Sequence, residues 1–249
     1  MALKSFLRAF GVGGATIDAV LDTDRVQPGG PLTGTLHIRG GDASQVAKRA
    51  TLELVARVEK KMGEEEYQAD EVIAAVEIPG PIQLGGTHSF PFRMDLPPHT
   101  PVTTLGGRNF VWLRSGLDVP WAMDPSDKDA LQVHPNPAQA NVLQAMEALG
   151  FRLYKVDIDA RSSWFGRKWV QEFEFKPAGY GRARYDEVEV VFEGQRGDQV
   201  DLMLQLDRSA RGLGGFLMEM SGADESWQRV TLDASSAQSA AAMLSRVVA

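Results

Sequence analysis

Apolar and polar residues alternate with a period of two over much of the chain, which is the pattern of strands with one buried face. After the turn at 28–31, Leu32, Leu36 and Ile38 alternate with polar Thr33 and His37. The same alternation predicts strands within 46–59, 67–78 and 87–96. The stretch 109–119 is apolar on both sides, so it is expected to be a central strand.

A helix is predicted between two sets of strands. Asn136 fits an N-cap and Pro137 fits the first helical position. Val142, Leu143, Met146 and Leu149 would then form one apolar face, and Gly150 would end the helix. Strands are predicted to resume at Phe151–Asp159, Trp169–Phe175, Ala183–Phe192 and Gln199–Asp207.

Three further stretches have the spacing of amphipathic helices. Leu3–Phe10 and 213–220 place apolar residues at i, i+3, i+4 and i+7, and Ser235–Val248 has an apolar side. Gly11, Gly13 and Gly14 follow the first of these and precede a strand pattern. A phosphate-binding loop runs from a strand into a helix, so these glycines are interpreted as a helix end and a strand start.

These elements predict an all-β fold built from tandem antiparallel, immunoglobulin-like β-sandwiches. From Ala15 to His134, Gly and Pro turns separate the strands, and no helices of 10–15 residues are interleaved with them. An N-terminal sandwich is expected at 1–134, a connector with a short helix at 135–150, and a C-terminal sandwich with a helical tail at 151–249.

Composition narrows the functional classes. The 249 residues include no cysteine, which excludes disulfides, thiolate catalysis and zinc sites with cysteine ligands, and agrees with a reducing compartment. No run approaches 18 apolar residues, and a cytoplasmic location is expected. The net charge is −7, and neither half of the chain is basic. This charge argues against binding to nucleic acid or to an anionic membrane.

No catalytic, cofactor or metal site is predicted. His37, His88, His99 and His134 lack the spacing of metal ligands. Asp124–Asp129 departs from a calcium loop at positions five and six, so turn and capping roles are predicted for it. The sequence contains neither a nucleophile elbow nor a Walker loop, although a triad can also assemble from distant residues.

Aromatic residues beside cations suggest a partner-binding surface instead. Its candidate residues are Trp164, Phe165, Arg167, Trp169 and Phe216. The alternative interpretation is a solvated loop with an aromatic anchor, or packing in the core. Trp112 and Trp121 are further aromatic candidates with the same alternative.

The order of these segments resembles the bacterial sporulation-control protein M family, which is arrestin-like. The resemblance rests on PGGPLTGTLHIRGG (28–41), FPFRMDLPPHTPVTT (90–104), VWLRSGLDV (111–119), AMDPSDKDALQVHP (122–135), ALGFRLYKVDID (148–159), VQEFEFKP (170–177), YDEVEVVF (185–192) and DRSARGLGGFLMEM (207–220).

The resemblance implies tandem arrestin-like sandwiches and a regulatory, non-catalytic role in sporulation initiation or cell-cycle control. It implies no cofactor. The expected partner is another protein, and self-association is a further option. The alternative is a small-molecule or membrane-surface binding module, with the helix at Leu3–Phe10 resting on lipid.

Overall fold

The computed structural model describes residues 14–62, 65–106, 110–120, 124–159, 169–179, 184–207 and 225–248. These residues are mostly strand, with two helices, which confirms the predicted β-rich fold. The chain forms two compact units. The first consists of the described residues up to Arg57, Asp70–Thr103 and Phe110–His134, and the second of the described parts of Val58–Ala69, Thr104–Asn109 and Pro135–Ala249.

The described part of the first unit contains nine strands, two of which extend into segments of the second unit. They are β1 (Thr16–Leu21), β2 (Arg25–Val26), β3 (Pro31–Arg39), β4 (Val46–Met62), β5 (Glu65–Gln83), β6 (Thr87–Asp95), β7 (Val111–Asp118), β8 (Ser126–Ala130) and β9 (Gln132–Val133).

Hydrogen bonding in this unit joins β1, β3 and β6 into one antiparallel sheet and β4, β7 and β8 into another, with β5 beside β4. A short parallel pair links β2 to β9. Side chains at alternate positions of the strands form the core of this unit. Leu32, Leu36 and Ile38 of β3 are fully buried, and so are Leu52 and Leu54 of β4. As predicted, β7 is central, because it pairs with β4 on one side and β8 on the other.

A glycine allows the end of β5 to approach β4. A Cβ on Gly80 would contact the carbonyl oxygens of Lys48 and Ala47. Backbone atoms cannot move aside as a flexible side chain can, so only glycine fits there.

The described part of the second unit contains five strands and two helices. They are α1 (Pro137–Ala148), β10 (Phe151–Asp159), β11 (Val170–Pro177), β12 (Glu187–Arg196), β13 (Gln199–Asp207), β14 (Glu225–Asp233) and α2 (Ala237–Val248). The strands pair antiparallel in chain order, and β10 also meets the end of β4 at Glu59. Val200, Leu202 and Leu204 of β13 are fully buried, as period two predicts.

The predicted α1 forms with its predicted cap. The Asn136 side chain accepts a hydrogen bond from the backbone N–H of Gln139, and the Gln139 side chain accepts one from the backbone N–H of Asn136. Gly150 follows the helix with a φ of 88°, a left-handed conformation that favours glycine. Val142, Ala145 and Met146 are buried, and α1 packs against α2 and β10.

Two local interpretations need correction, and two lie outside the described residues. Ser126–Ala130 form the strand β8, where turn and capping roles were predicted, although Asp124 does accept a hydrogen bond from the Val119 N–H. The strand β14 was not predicted. The proposed helices at 3–10 and 213–220 lie outside the described part of the chain.

Candidate partner-binding face of the first unit

Trp112 lies between two cations on one face of the first unit. It is on β7, with Arg57 on β4 and Lys128 on β8. The guanidinium carbon of Arg57 is 5.3 Å from the centroid of the Trp112 ring, and the Lys128 ammonium is 5.2 Å from it. Both distances suit cation–π attraction, which is strongest for tryptophan. The two neighbouring strands therefore place a positive charge on each side of one indole.

Ion pairs extend this arrangement across the strands. Arg57 donates from Nε and Nη2 to Oδ1 of Asp70 on β5, at 3.1 and 3.0 Å. Arg114, which shares the face of Trp112, lies opposite Glu53 and donates to its Oε2 from Nε at 2.7 Å. Pairs this exposed contribute at most about 1 kcal/mol each. Their main consequence is to fix the orientation of the cations around the ring.

The indole of Trp112 is buried without a hydrogen-bond acceptor. Its side chain is 7% exposed, and its Nε1 has no partner within the part of the chain that the structure describes. A buried donor left unpaired costs about 1–3 kcal/mol. Within the described residues, the indole N–H therefore contributes no hydrogen bond to this face. The contribution of Trp112 is the apolar surface of its ring, over which the two cations lie.

Two exposed apolar side chains lie near these residues along the chain. Phe110 is 53% exposed, and alternation along the chain places it on the same face as Trp112. Val72 of β5 is 47% exposed and lies two residues from Asp70. We call Arg57, Asp70, Phe110, Trp112 and Lys128 the Trp112 face. Aromatic residues and arginine with exposed apolar neighbours are typical of protein-binding surfaces.

A serine and a histidine meet on the other sheet of this unit. Ser89, His37 and Asp18 lie opposite one another on β6, β3 and β1. The His37 Nδ1 is 2.9 Å from the Ser89 Oγ. The Asp18 carboxyl instead lies near Asp127 of β8, and its charge raises the pKa of Asp127. Within the described residues, Ser89 is the only hydrogen-bond partner of the His37 ring, so the geometry lacks the orienting carboxylate of a triad.

Asp127 is a carboxyl group of this unit whose pKa is raised. Burial raises its pKa above the ordinary value, and the nearby charge of Asp18 and the hydrogen bond to it raise the pKa further, against backbone hydrogen bonds from Lys128 and Ala19 that lower it. No group of three or more metal-ligating side chains within the described ranges could hold a metal ion.

The second unit concentrates carboxylates around lysines. Lys176 Nζ lies 2.9 Å from Glu174 Oε1 and 3.3 Å from Glu187 Oε2, and 3.8 Å from the centroid of the Tyr154 ring. Burial, and secondly repulsion from Glu174, raises the pKa of Glu187.

A second carboxyl with a raised pKa, that of Glu59, lies where β4 meets β10. Burial raises the pKa of Glu59, with additional repulsion from Glu66, Asp159 and Asp157. The two carboxyls of this unit with a raised pKa, Glu59 and Glu187, therefore lie among like charges.

A sequence model of a protein family described as "SpoOM protein" matches residues 3–210. The chain belongs to the SpoOM family.

A relative and a solved structure support this membership over nearly the whole chain. The "Sporulation-control protein spo0M" of Bacillus subtilis (strain 168) is 37% identical over 232 residues, which cover 91% of this chain and 88% of the relative. The crystal structure of Spo0M, sporulation control protein, from B. subtilis matches with a TM-score of 0.80 and 34% identity, covering 94% of this chain and 97% of that one.

The predicted partner residues of this SpoOM protein are mostly outside the described ranges. Trp164, Phe165, Arg167 and Phe216 lie there, as does Trp121, so the surface they would form stays a prediction. Trp169, immediately before β11, is described and is 6% exposed. Within the described residues, no helix is long and apolar enough to cross a membrane.

The sequence interpretation identified Trp112 but not the residues around it. Arg57 and Lys128 are 55 and 16 positions away along the printed sequence. They reach the ring only through the pairing of β7 with β4 and β8. The alternation of β4 and β8 could have shown which face each cation takes, but not which strands are neighbours.

Proposed function

We propose that this SpoOM protein is a non-catalytic regulator of the sporulation-control type. It acts through contacts with another protein during sporulation initiation or related cell-cycle control. The proposal includes a cytoplasmic location and two arrestin-like sandwiches. The observation that carries it is the 37% identity, over 91% of this chain, to a protein named for sporulation control.

The Trp112 face supports the mode of action. Phe110, two residues from Trp112, and Val72, two residues from Asp70, are half-exposed apolar side chains, and two cations lie over the Trp112 ring. Such a surface offers area for a protein partner while its charged groups set orientation. The described His37–Ser89 pair lacks a carboxylate on the imidazole, which favours binding over hydrolysis as the function.

Complementation tests this function. The chain is expressed in a B. subtilis strain that lacks its own Spo0M, and sporulation frequency is measured against the parent strain. The wild-type chain is expected to restore the parental frequency. Phe110→Asp is expected to lose at least tenfold of that restoration, because it places a charge on the Trp112 face.

Tyr154→Asp is the matched control, because Tyr154 is 61% exposed in the second unit. It is expected to behave as wild type. Failure of the folded, expressed wild-type chain to restore control would contradict the proposed process. Equal behaviour of the two variants would contradict the role of the Trp112 face.

A further inference from the structure

β5 has a long hydrogen-bonding edge that no described strand occupies. The strand is 19 residues long, and β4 is its only partner among the described residues. The part from Asp70 onward belongs to the first unit. Backbone N–H and C=O groups on the outer edge of such a strand can pair with an additional strand.

The middle of this edge lacks lysine and proline, two of the usual protections against strand pairing. Between Asp70 and Glu77 the sequence is EVIAAV, which contains neither lysine nor proline. Prolines follow only at Pro79 and Pro81. Edge strands are commonly blunted by lysine, by proline or by short length. Val72 in this stretch is 47% exposed, so the central segment is open to a partner.

Carboxylates bracket the open segment. Asp70 accepts both Arg57 hydrogen bonds on Oδ1, and Glu77 contacts Arg49 through Oε2 at 3.5 Å. Within the described residues, Oδ2 of Asp70 and Oε1 of Glu77 make no such contact. Each carboxylate therefore has one oxygen available to a further cation, one at each end of the EVIAAV segment.

The charges discriminate between a second copy and a different partner. From Asp70 to Glu77 the strand carries three acidic residues and no basic one. Two copies of β5 side by side would bring acidic side chains together, and like charges across paired strands are destabilising. A different strand, with a cation at each end and apolar residues between them, would hydrogen-bond the backbone groups on the outer edge of β5. Its cations would also pair with the carboxylates of Asp70 and Glu77.

The alternation of β5 sets the spacing of those cations. Exposure alternates along the strand but shifts by one position at Ile73 and Ala74, which are both half-buried. Asp70 and Glu77 are therefore both exposed although they are seven residues apart. A regular strand places residues on one face at even spacings, so an opposing strand would match them with cations about six residues apart.

We propose that the outer edge of β5, from Asp70 to Glu77, binds an extended segment of a partner protein as an added β-strand. The segment has alternating apolar residues in its middle and a lysine or arginine at each end. This inference rests on the proposed function, because it specifies where that regulator holds its partner and what the partner contributes.

The test uses a labelled peptide, acetyl-KVTVTVK-amide, and fluorescence anisotropy with the full chain. Two controls have the same length: acetyl-EVTVTVE-amide, and the lysine peptide with alternate backbone nitrogens methylated. The lysine peptide is expected to bind at least tenfold more tightly than either control. Absence of binding, or equal binding of the methylated peptide, overturns the proposal because backbone pairing is then not the mode.

Protein variants locate the binding. Val72→Lys places a like charge on the exposed edge and is expected to weaken binding of the lysine peptide at least tenfold. Tyr154→Lys adds the same charge at an exposed site of the second unit and is expected to leave binding within twofold. Equal weakening by the two variants would indicate general electrostatics and overturn the assignment to β5.

This test and the complementation test fail independently. If the peptide does not bind but the wild-type chain restores sporulation control, the β5 inference is wrong and the proposed function stands. If the peptide binds through β5 but the chain does not restore control, the edge is a binding site and the proposed process is wrong.

Discussion

Each unit holds a lysine over an aromatic ring, and the two rings differ in burial and in surrounding charge. In the first unit Trp112 is 7% exposed, and Lys128 and Arg57 cover it from either side. In the second unit Tyr154 is 61% exposed, and Lys176 contacts two carboxylates as well as the ring.

The contrast separates two roles for the same kind of contact. Around Trp112 the ring is the buried group, and the long stems of the cations shield its apolar surface from water. Around Lys176 the carboxylates of Glu174 and Glu187 are the more buried groups, and the ammonium offsets their mutual repulsion. We therefore expect ring truncation to matter in the first unit and cation removal to matter in the second.

Truncation of the two rings is expected to change the free energy of unfolding more than the other substitutions do, and it tests this contrast directly. Trp112→Ala should lower the free energy of unfolding by about 3–5 kcal/mol, because a buried aromatic leaves a cavity. Tyr154→Ala should lower it by no more than about 1 kcal/mol, since its ring is exposed. Urea denaturation followed by circular dichroism measures both, and equal losses would remove the distinction.

The sequence predicts those elements whose signal lies in neighbouring residues of the chain. Gln199–Asp207 and Phe151–Asp159 form strands with the predicted bounds. The alternation of Gln199–Asp207 is a local property, and Phe151–Asp159 alternates on either side of a register shift between Leu153 and Lys155. The helix α1 follows from its cap and stop residues, which are also local. The strand β14 was missed because its exposed side carries Trp227, so its apolar residues do not all lie on one side.

The candidate site was less predictable because it depends on strand order. Arg57, Trp112 and Lys128 belong to three strands. The alternation of apolar and polar residues within each strand can be recognised from the sequence of that strand alone. Which strands become neighbours is decided by packing of the whole unit. The same limit applies to Asp18 and Asp127, which belong to two separate sheets although the charge of Asp18 raises the pKa of Asp127.

Replacing Lys176 of the second unit should have the next largest effect on the free energy of unfolding. Lys176→Met leaves Glu174 and Glu187 without their shared ammonium, and the expected loss is about 1 kcal/mol at neutral pH because the site is partly exposed. The pKa of Glu187 is already raised by burial and then by Glu174, and it should rise further in the variant.

The sign of the pH dependence follows from that raised pKa. A carboxyl whose pKa is higher in the folded state contributes stability at acid pH, and this contribution is lost as pH rises through the folded value. The deficit of Lys176→Met should therefore shrink toward acid pH. Thermal unfolding between pH 4 and pH 7.5 measures it, and a deficit that does not vary with pH would contradict the role of the carboxylates.

Replacing only the polar atom of Trp112 should have a smaller effect. Trp112→Phe keeps most of the apolar ring and removes the N–H that lacks a described acceptor. The change in the free energy of unfolding is expected to stay within about 1 kcal/mol, because no hydrogen bond is broken. The urea experiment used for Trp112→Ala measures it. A loss close to that of Trp112→Ala would show that the indole N–H has a stabilising partner.

Lys128→Met should have the smallest effect and should differ from Lys176→Met in kind. Within the described residues, Lys128 contacts the Trp112 ring and forms no ion pair with a carboxylate. Methionine keeps a long apolar stem over the ring, so only the cation–π attraction is lost, about 0.5–1 kcal/mol at an exposed site. Because no carboxylate within the described residues pairs with the Lys128 ammonium, the deficit should be the same at pH 4 and pH 7.5. Thermal unfolding at both values, with Lys176→Met as the comparison, measures this. If the Lys128→Met deficit also shrinks at acid pH, the ammonium compensates a carboxylate in the first unit as well, and the two units use their lysines alike.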